Sequence, residues 1–219
     1  MFIGKKPTDA PLTSSDVADG IITNAKLAQD IISADTALGA EPADTDEFLV
    51  SDAGTLKRMD YSYIKASGIT VADNWRLNAN DTVDSSETDL DTGWERVDTT
   101  GQGTLGSAMT QSSGIFTFPS TGIYFIRFQI YYVGNTADYG RAIIKHYDGS
   151  STYTIISDVR TDIQSSKQEV ITTSTLFDCQ NTSTDKCRFD AGGNENDAVI
   201  AGSTTDNRTS AIFIRLGDT

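Results

Sequence analysis

The sequence predicts an all-β sandwich head carried on an extended N-terminal arm, and three observations predict it. The first is residues 114–128, Gly-Ile-Phe-Thr-Phe-Pro-Ser-Thr-Gly-Ile-Tyr-Phe-Ile-Arg-Phe, which read as a strand, a tight turn and a second strand. The second is composition. Only 22% of residues are charged and 9% are aromatic, while Thr, Ser, Gly, Asp and Asn abound, which suits a β protein with many turns and a real core. The third is spacing: beyond residue 70, short apolar or alternating runs recur with polar turn residues between them.

The arm comes first, over residues 1–70. It has no Trp, and its aromatics are Phe2, Phe48, Tyr61 and Tyr63. Residues 7–14 are extended, because each proline pushes its predecessor out of the helical region. Ser14-Ser15-Asp16 then offers an N-cap, and Ile21, Ile22, Ala25, Leu27, Ala28, Ile31 and Ile32 follow at partly helical spacing. Gly20, Thr23 and Asn24 interrupt that pattern, so the expectation is a short helix over about 24–32. A stripe this narrow cannot bury itself and needs sister chains or another surface. Residues 46–61 read as strand, Asp-Ala-Gly turn and strand, a hairpin. Ile21, Ile22, Leu27, Ile31, Phe48 and Leu49 are therefore the candidate anchoring residues.

The head spans 71–219. Strands are expected over 75–78, 94–99, 114–118, 123–133, 141–147, 153–159, 169–177, 186–189, 198–201 and 209–216. Pro119 stops the strand of Phe116 and Phe118, and Gly122 restarts the chain. Tyr124, Ile126 and Phe128 then share one face, and Ile123, Phe125, Arg127 and Gln129 share the other. Phe116, Tyr124, Phe128, Tyr131, Tyr132 and Phe213 are the candidates for the core or for an interface between subunits.

The pattern Gly-x-Phe-x-x-Pro-x-x-Gly-x-Tyr-x-x-x-Phe over 114–128 resembles the central hairpin of the complement-head and tumour-necrosis-factor family. That resemblance implies a jelly roll, a homotrimer, a non-enzymatic binding or structural role, and a closing strand 209–216 in the middle of one sheet. It also favours an interface role for the dense Tyr131, Tyr132, Tyr139, Tyr147 and Tyr153 over a ligand-binding face. A threefold ring is physically suitable, because it shares the arm's apolar stripe and closes on itself. Two stretches of the arm carry a second resemblance. Residues 16–28, Asp-Val-Ala-Asp-Gly-Ile-Ile-Thr-Asn-Ala-Lys-Leu-Ala, are similar to repeats near the start of bacteriophage fibre and virion-appendage proteins. Residues 42–63 are similar to a segment common in structural proteins of marine phages. No sustained heptad and no Gly-x-y repeat is present, so neither a coiled-coil nor a collagen stalk is expected.

Charge and motifs narrow the function classes. A net charge of −14 argues against coating nucleic acid. No run approaches the roughly 20 apolar residues of a membrane span. The start, Met-Phe-Ile-Gly-Lys-Lys-Pro, has too short an apolar part for a secretory leader, so synthesis in a host cytoplasm is expected. Gly101-Gln102-Gly103-Thr104-Leu105-Gly106 fits Gly-x-Gly-x-x-Gly, but poor helix material follows it, so a loop is expected and no cofactor. His146, the only histidine, has no nucleophile motif to serve. Asp81, Asp84, Glu87, Asp89 and Asp91, and again Asp190, Glu195 and Asp197, read as a solvated acidic rim rather than an ion site. Cys179 and Cys187 read as reduced thiols on adjacent strands, with a hairpin disulfide as the alternative. No catalytic, metal or cofactor-binding residue is assigned.

The expected function is a trimeric capsid decoration or cement protein of a phage, anchored by the arm to the major capsid protein or another virion protein. The alternative is a tail-fibre or receptor-binding protein that contacts a host-surface glycan or receptor. A carbohydrate-active enzyme or free lectin-like effector ranks last.

Overall fold

The structure, a computed structural model, describes residues 18, 36–65, 68–83, 87–133, 139–149, 152–164, 167–193 and 198–219. The chain divides into two units, Met1–Lys65 and Ala66–Thr219. The extended segment 7–14, the helix over 24–32, and Ile21, Ile22, Leu27 and Ile31 lie outside the described residues.

In the first unit the hairpin expected over 46–61 is present. Strand β1 (Glu47–Asp52) pairs antiparallel with β2 (Thr55–Asp60), and the turn residues Ala53 and Gly54 both have positive φ, 49° and 85°. That is the backbone a two-residue turn needs to match strand twist. Phe48 stands opposite Met59, and its ring lies 6.1 Å from that of Tyr61, which begins a 3-10 turn over Tyr61–Tyr63. Leu49 and Leu56 share the other face and are 74% and 68% exposed.

The second unit is a jelly roll of two antiparallel sheets. The first sheet is built on β9 (Gly122–Val133). Strand β12 (Gln168–Cys179) pairs along one edge of β9, and β15 (Ser210–Gly217) pairs along the other. Beyond β15 come β3 (Ala72–Leu77) and β6 (Trp94–Arg96). The short β14 (Ala198–Ile200) continues beside the end of β9 and carries β4 (Asp81–Val83). The second sheet runs β11 (Tyr153–Asp162), β10 (Tyr139–Tyr147), β13 (Lys186–Gly193), β8 (Ile115–Thr117) and β7 (Thr110–Ser112), with β5 (Thr88–Asp89) also on β13. The closing strand β15 thus lies in the middle of its sheet, between β9 and β3.

All ten strand positions expected in the head carry a strand. Strands β4, β5 and β7 were not expected: Asp-Thr-Val, Thr-Asp and Thr-Gln-Ser are too short and polar to show alternation. The strand expected over 94–99 stops at Arg96, because Asp98 and Thr99 turn to bind the Arg76 guanidinium.

Burial along β9 alternates residue by residue, so Tyr124, Ile126, Phe128, Ile130 and Tyr132 enter the core while the intervening residues stay half-buried. Opposite them, the second sheet contributes Phe116, Ala142, Ile144, Cys187 and Phe189. Phe116 joins the two layers. Its ring lies 5.2 Å from Trp94, 5.3 Å from Phe189 and 5.2 Å from Phe213. Edge-on and tilted contacts of this kind add to the apolar burial of each ring. Removing that ring leaves a cavity which rigid strands on both sides cannot close, so Phe116→Ala is expected to cost about 3–5 kcal/mol in urea unfolding.

Between β8 and β9, Gly122 sits at φ +140°, and a Cβ there would lie 2.4 Å from the Gly217 carbonyl oxygen and 2.6 Å from Arg215 Nε. Gly122→Val combines backbone strain with that overlap. It is expected to yield insoluble or unfolded head, and a soluble variant with an unchanged melting temperature would refute the requirement.

Candidate functional site

Two buried charges fix the loops at the β3 end of the first sheet. The Asp73 carboxylate is fully enclosed and accepts from Trp75 Nε1 (3.0 Å), Met109 N (2.9 Å), Arg96 Nε (3.3 Å) and Thr104 Oγ1 (3.3 Å). Arg76, also enclosed, donates to Glu95 (2.7 Å), Asp98 (2.9 Å), Thr99 (2.7 Å) and the Thr204 carbonyl. A buried charge is tolerable only with such a set of partners. The Gly-rich segment 101–106 is one of the loops so held. No helix follows it; Leu105 instead exchanges backbone hydrogen bonds with Ala72, at 3.1 and 2.8 Å. Gly106 has φ +68°, and a Cβ there would stand 1.9 Å from the Thr70 carbonyl oxygen. Loop packing accounts for that glycine.

The outer face of the second sheet carries a lattice of ion pairs. Arg141 holds Asp158 with two 2.8 Å bonds and Glu87 at 3.2 Å. Lys145 holds Glu87 and Asp190, the latter at 2.5 Å. Arg188 holds Asp190 at 3.1 Å and Asp89 at 2.7 Å, and stacks 3.8 Å over the Tyr153 ring. The acidic rim expected here is corrected in part: Asp91 is exposed and Asp81 half-buried, whereas the other described members are held by cations. Glu87, Asp89 and Asp190 are paired, and Asp190 is fully buried where β5 lies against β13. Asp84, Glu195 and Asp197 fall outside the described residues, and among those described no group of three or more acidic, His or Cys side chains is placed to hold a metal ion.

These contacts move the carboxyl groups in opposite directions. The hydrogen bond from Lys145 holds Glu87 below its ordinary value, and that from Arg141 does the same for Asp158. The stability they lend is full above their ordinary values and is lost as pH falls through the depressed ones. Burial instead pushes Asp190 from 3.8 up to about 6, against the pull of Lys145 and Arg188. Asp190 therefore adds stability as pH falls through about 6, while the contribution of Glu87 and Asp158 is lost only at lower pH. The Asp190 carboxyl carbon is expected to titrate with a midpoint near 6 by NMR. A midpoint near 3.8 would mean that Lys145 and Arg188 offset the effect of burial.

The remaining candidates have structural partners. Tyr132 is buried, and its hydroxyl donates toward the carbonyls of Gly192 (2.7 Å) and Arg141 (2.9 Å), while burial raises it to about 12. Tyr124 packs on Phe118 at 4.6 Å and donates to the Ser120 carbonyl at 2.9 Å. Phe116, Phe128 and Phe213 lie in the core cluster, so five of the six candidates for core or interface are inside the head, and only Tyr131 is half-buried on the outer side, bonded to Gln168. The interface role favoured for Tyr132 is corrected: it continues the inward face of Tyr124, Ile126 and Phe128, and its carbonyl partners, far along the chain, carried no local signal. His146 stands 3.3 Å from Asp185 and edge-on to Phe177, beside a shallow cavity of about 130 Å³ lined also by Ile156 and Leu176. Cys179 and Cys187 are free and buried. They are not on adjacent strands, as expected, because the turn after β12 crosses to the other sheet. Cys179 is opposite Gly122 on β9, and Cys187 is opposite Phe116 and His146. Burial pushes the Cys179 thiol up to about 11 and Cys187 well above its ordinary value, so neither is a ready nucleophile.

The outer face of the first sheet is different in kind. Leu176 on β12, Phe125 on β9 and Ile214 on β15 form one cross-strand row, and Ile212, Ile123 and Leu216 lie around it. Leu176 is 65% exposed and Leu216 54%, and Val170 further along β12 is 50% exposed. Together these side chains form an apolar strip on that outer face.

No protein-family model matches the chain, and no curated protein does. Among solved structures it is similar to the Eiger tumour necrosis factor of S. frugiperda, with a TM-score of 0.55 and 13% identity, covering 69% of this chain and 96% of that one. It is also similar to murine APRIL at pH 5.0, with a TM-score of 0.50 and 13% identity, covering 67% and 98%. The head is a jelly roll of the tumour-necrosis-factor type. At this identity the likeness is one of fold.

Proposed function

We propose that the chain is a non-enzymatic structural protein of a phage particle, a homotrimeric capsid decoration protein held by its N-terminal arm and projecting its jelly-roll head. The observation that carries the reading is the arm. Its stretch 42–63 is similar to a segment of marine-phage structural proteins, and it forms a hairpin whose Leu49 and Leu56 stand exposed. A two-stranded hairpin alone is marginal in water, so it gains stability by docking on another surface, here the major capsid protein or a neighbouring virion protein. The non-enzymatic reading is supported by the pairing of the candidate groups: His146 with Asp185, Glu87 and Asp190 with Lys145, and both thiols deep in the core.

The trimer rests on the resemblance of residues 114–128 and on the apolar outer face of β9, β12 and β15. That face combines exposed Leu176 and Leu216 with half-buried Phe125, Ile212 and Ile214, and a closed threefold ring covers it without leaving a free copy. A charge in the middle of that row is expected to break the assembly without unfolding the head. In light scattering, Leu176→Glu should give the mass of one chain where the unaltered protein gives three. A trimer that survives Leu176→Glu places the interface elsewhere.

Copy number on the purified particle tests the placement. Decoration requires an amount comparable to the major capsid protein. A small fraction of it would instead make this a tail-fibre or receptor-binding protein. Deleting residues 1–65 is expected to leave a folded head that no longer joins the particle; incorporation at the normal level would remove the anchor assignment.

A further inference from the structure

We propose that the outer face of the second sheet carries a binding site for an acidic oligosaccharide, built on Tyr147, Lys186 and the groove beside them. The register places one row of side chains straight across five strands. Tyr153 pairs with Tyr147, Tyr147 with Lys186, Lys186 with Thr117, and Thr117 with Thr110. Cys187 and Phe116, next to Lys186 and Thr117 in sequence, are fully buried, so this row points away from the core. Its members follow one another at about 4.8 Å, the spacing of neighbouring strands, on a rigid sheet.

The two ends of the row differ. At one end the Tyr147 and Tyr153 rings lie 5.0 Å apart, and Arg188 stacks on Tyr153 at 3.8 Å, so the aromatic cluster is fixed before any ligand arrives. At the other end lies a groove of about 280 Å³ lined by Thr110, Gln111, Ser112, Ser113, Ile115, Thr117 and Lys186. Hydroxyls, an amide and the apolar side chain of Ile115 bound that groove, and an aromatic platform adjoins it. This combination suits a sugar, whose ring has an apolar face for stacking and a rim of hydroxyls for hydrogen bonds.

The charge selects the class of sugar. On the same face Arg141, Lys145 and Arg188 each hold carboxylates. Lys186 is half-buried and, among the described residues, has no carboxylate partner. A cation left unneutralised in a chain of net charge −14 is matched by a sugar carboxylate or sulfate. A densely charged polyanion such as a nucleic acid would be repelled by the whole chain. The site faces away from the apolar sheet proposed for the trimer, and it stands whether the chain decorates a capsid or not.

The test is NMR titration of the full chain with a hexasaccharide containing alternating glucuronate residues, and with maltohexaose as the neutral counterpart. The acidic sugar should give saturable shifts at Tyr147, Lys186 and Thr117, and should bind more tightly than maltohexaose. Lys186→Gln should weaken the acidic sugar about tenfold and leave maltohexaose unchanged, the size expected for one lost charge-assisted bond. Tyr147→Ala should weaken both; if that variant does not fold, Lys186→Gln alone decides. No saturable shift with the acidic sugar, or equal binding by Lys186→Gln, overturns the proposal.

Discussion

Strand β9 is hydrogen-bonded along both edges, and the rest of the head is arranged around that constraint. Its twelve residues pair with β12 on one side and with β15 and then β14 on the other. A strand bonded on both edges cannot shift by one residue without turning its apolar set out of the core. With β9 fixed, Tyr124, Ile126, Phe128, Ile130 and Tyr132 line one wall of the core. Phe116 and Phe189 meet them from the opposite sheet. The same alternation sets Ile123, Phe125 and Arg127 on the outer face, so the strand that builds the core also builds the surface proposed for assembly.

The two sheets use their outer faces differently, and the difference is electrostatic. On the first, apolar side chains are exposed and the charges that matter, Asp73 and Arg76, are enclosed at one end where they hold loops. On the second, Arg141, Lys145 and Arg188 and their carboxylates satisfy one another across strands, whereas Lys186 has no carboxylate partner among the described residues. A face so neutralised has little drive to be covered. An apolar face has a large one, of roughly 25 cal/mol for each Å² removed from water. The architecture therefore gives the head one apolar outer side and one charge-paired outer side.

Much of this fold was legible in the sequence because β burial follows a period of two. Residues 114–128 contain Pro119, Gly122 and a clean alternation, and they gave the central strand to within one residue. The short strands β4, β5 and β7 were not legible, since two or three polar residues hold no period. Nor were the buried charges. Asp73, just before the strand expected over 75–78, and Arg76 within it show no local sign of burial; the loops that wrap them, some from residues 98–109 and 204, come from elsewhere in the chain. The acidic clusters misled for the same reason: Lys145 and Arg188, which neutralise Glu87, Asp89 and Asp190, come from distant strands. Cys179 and Cys187 looked like neighbours because they are close in sequence, but the turn between them crosses the core. Within the candidate site, alternation sorted inner from outer residues on β9. It could not reveal the row from Tyr153 to Thr110, which exists only through the order of the strands.

The position of β15 has a kinetic consequence. Ser210 pairs with Arg76, and Ala211 with Trp75, across more than half of the chain. Contacts so distant in sequence carry a large loop-closure entropy, which puts folding toward the slow end of the range, milliseconds to seconds. Until β15 arrives, β9 presents an unpaired edge rich in Ile, Tyr and Phe, and β3 presents another. Open edges of that composition are templates for pairing with other chains. The strongly acidic character of the chain then acts during folding as well as after it, since mutual repulsion at a net charge of −14 lengthens the time that an incomplete sheet can stay single.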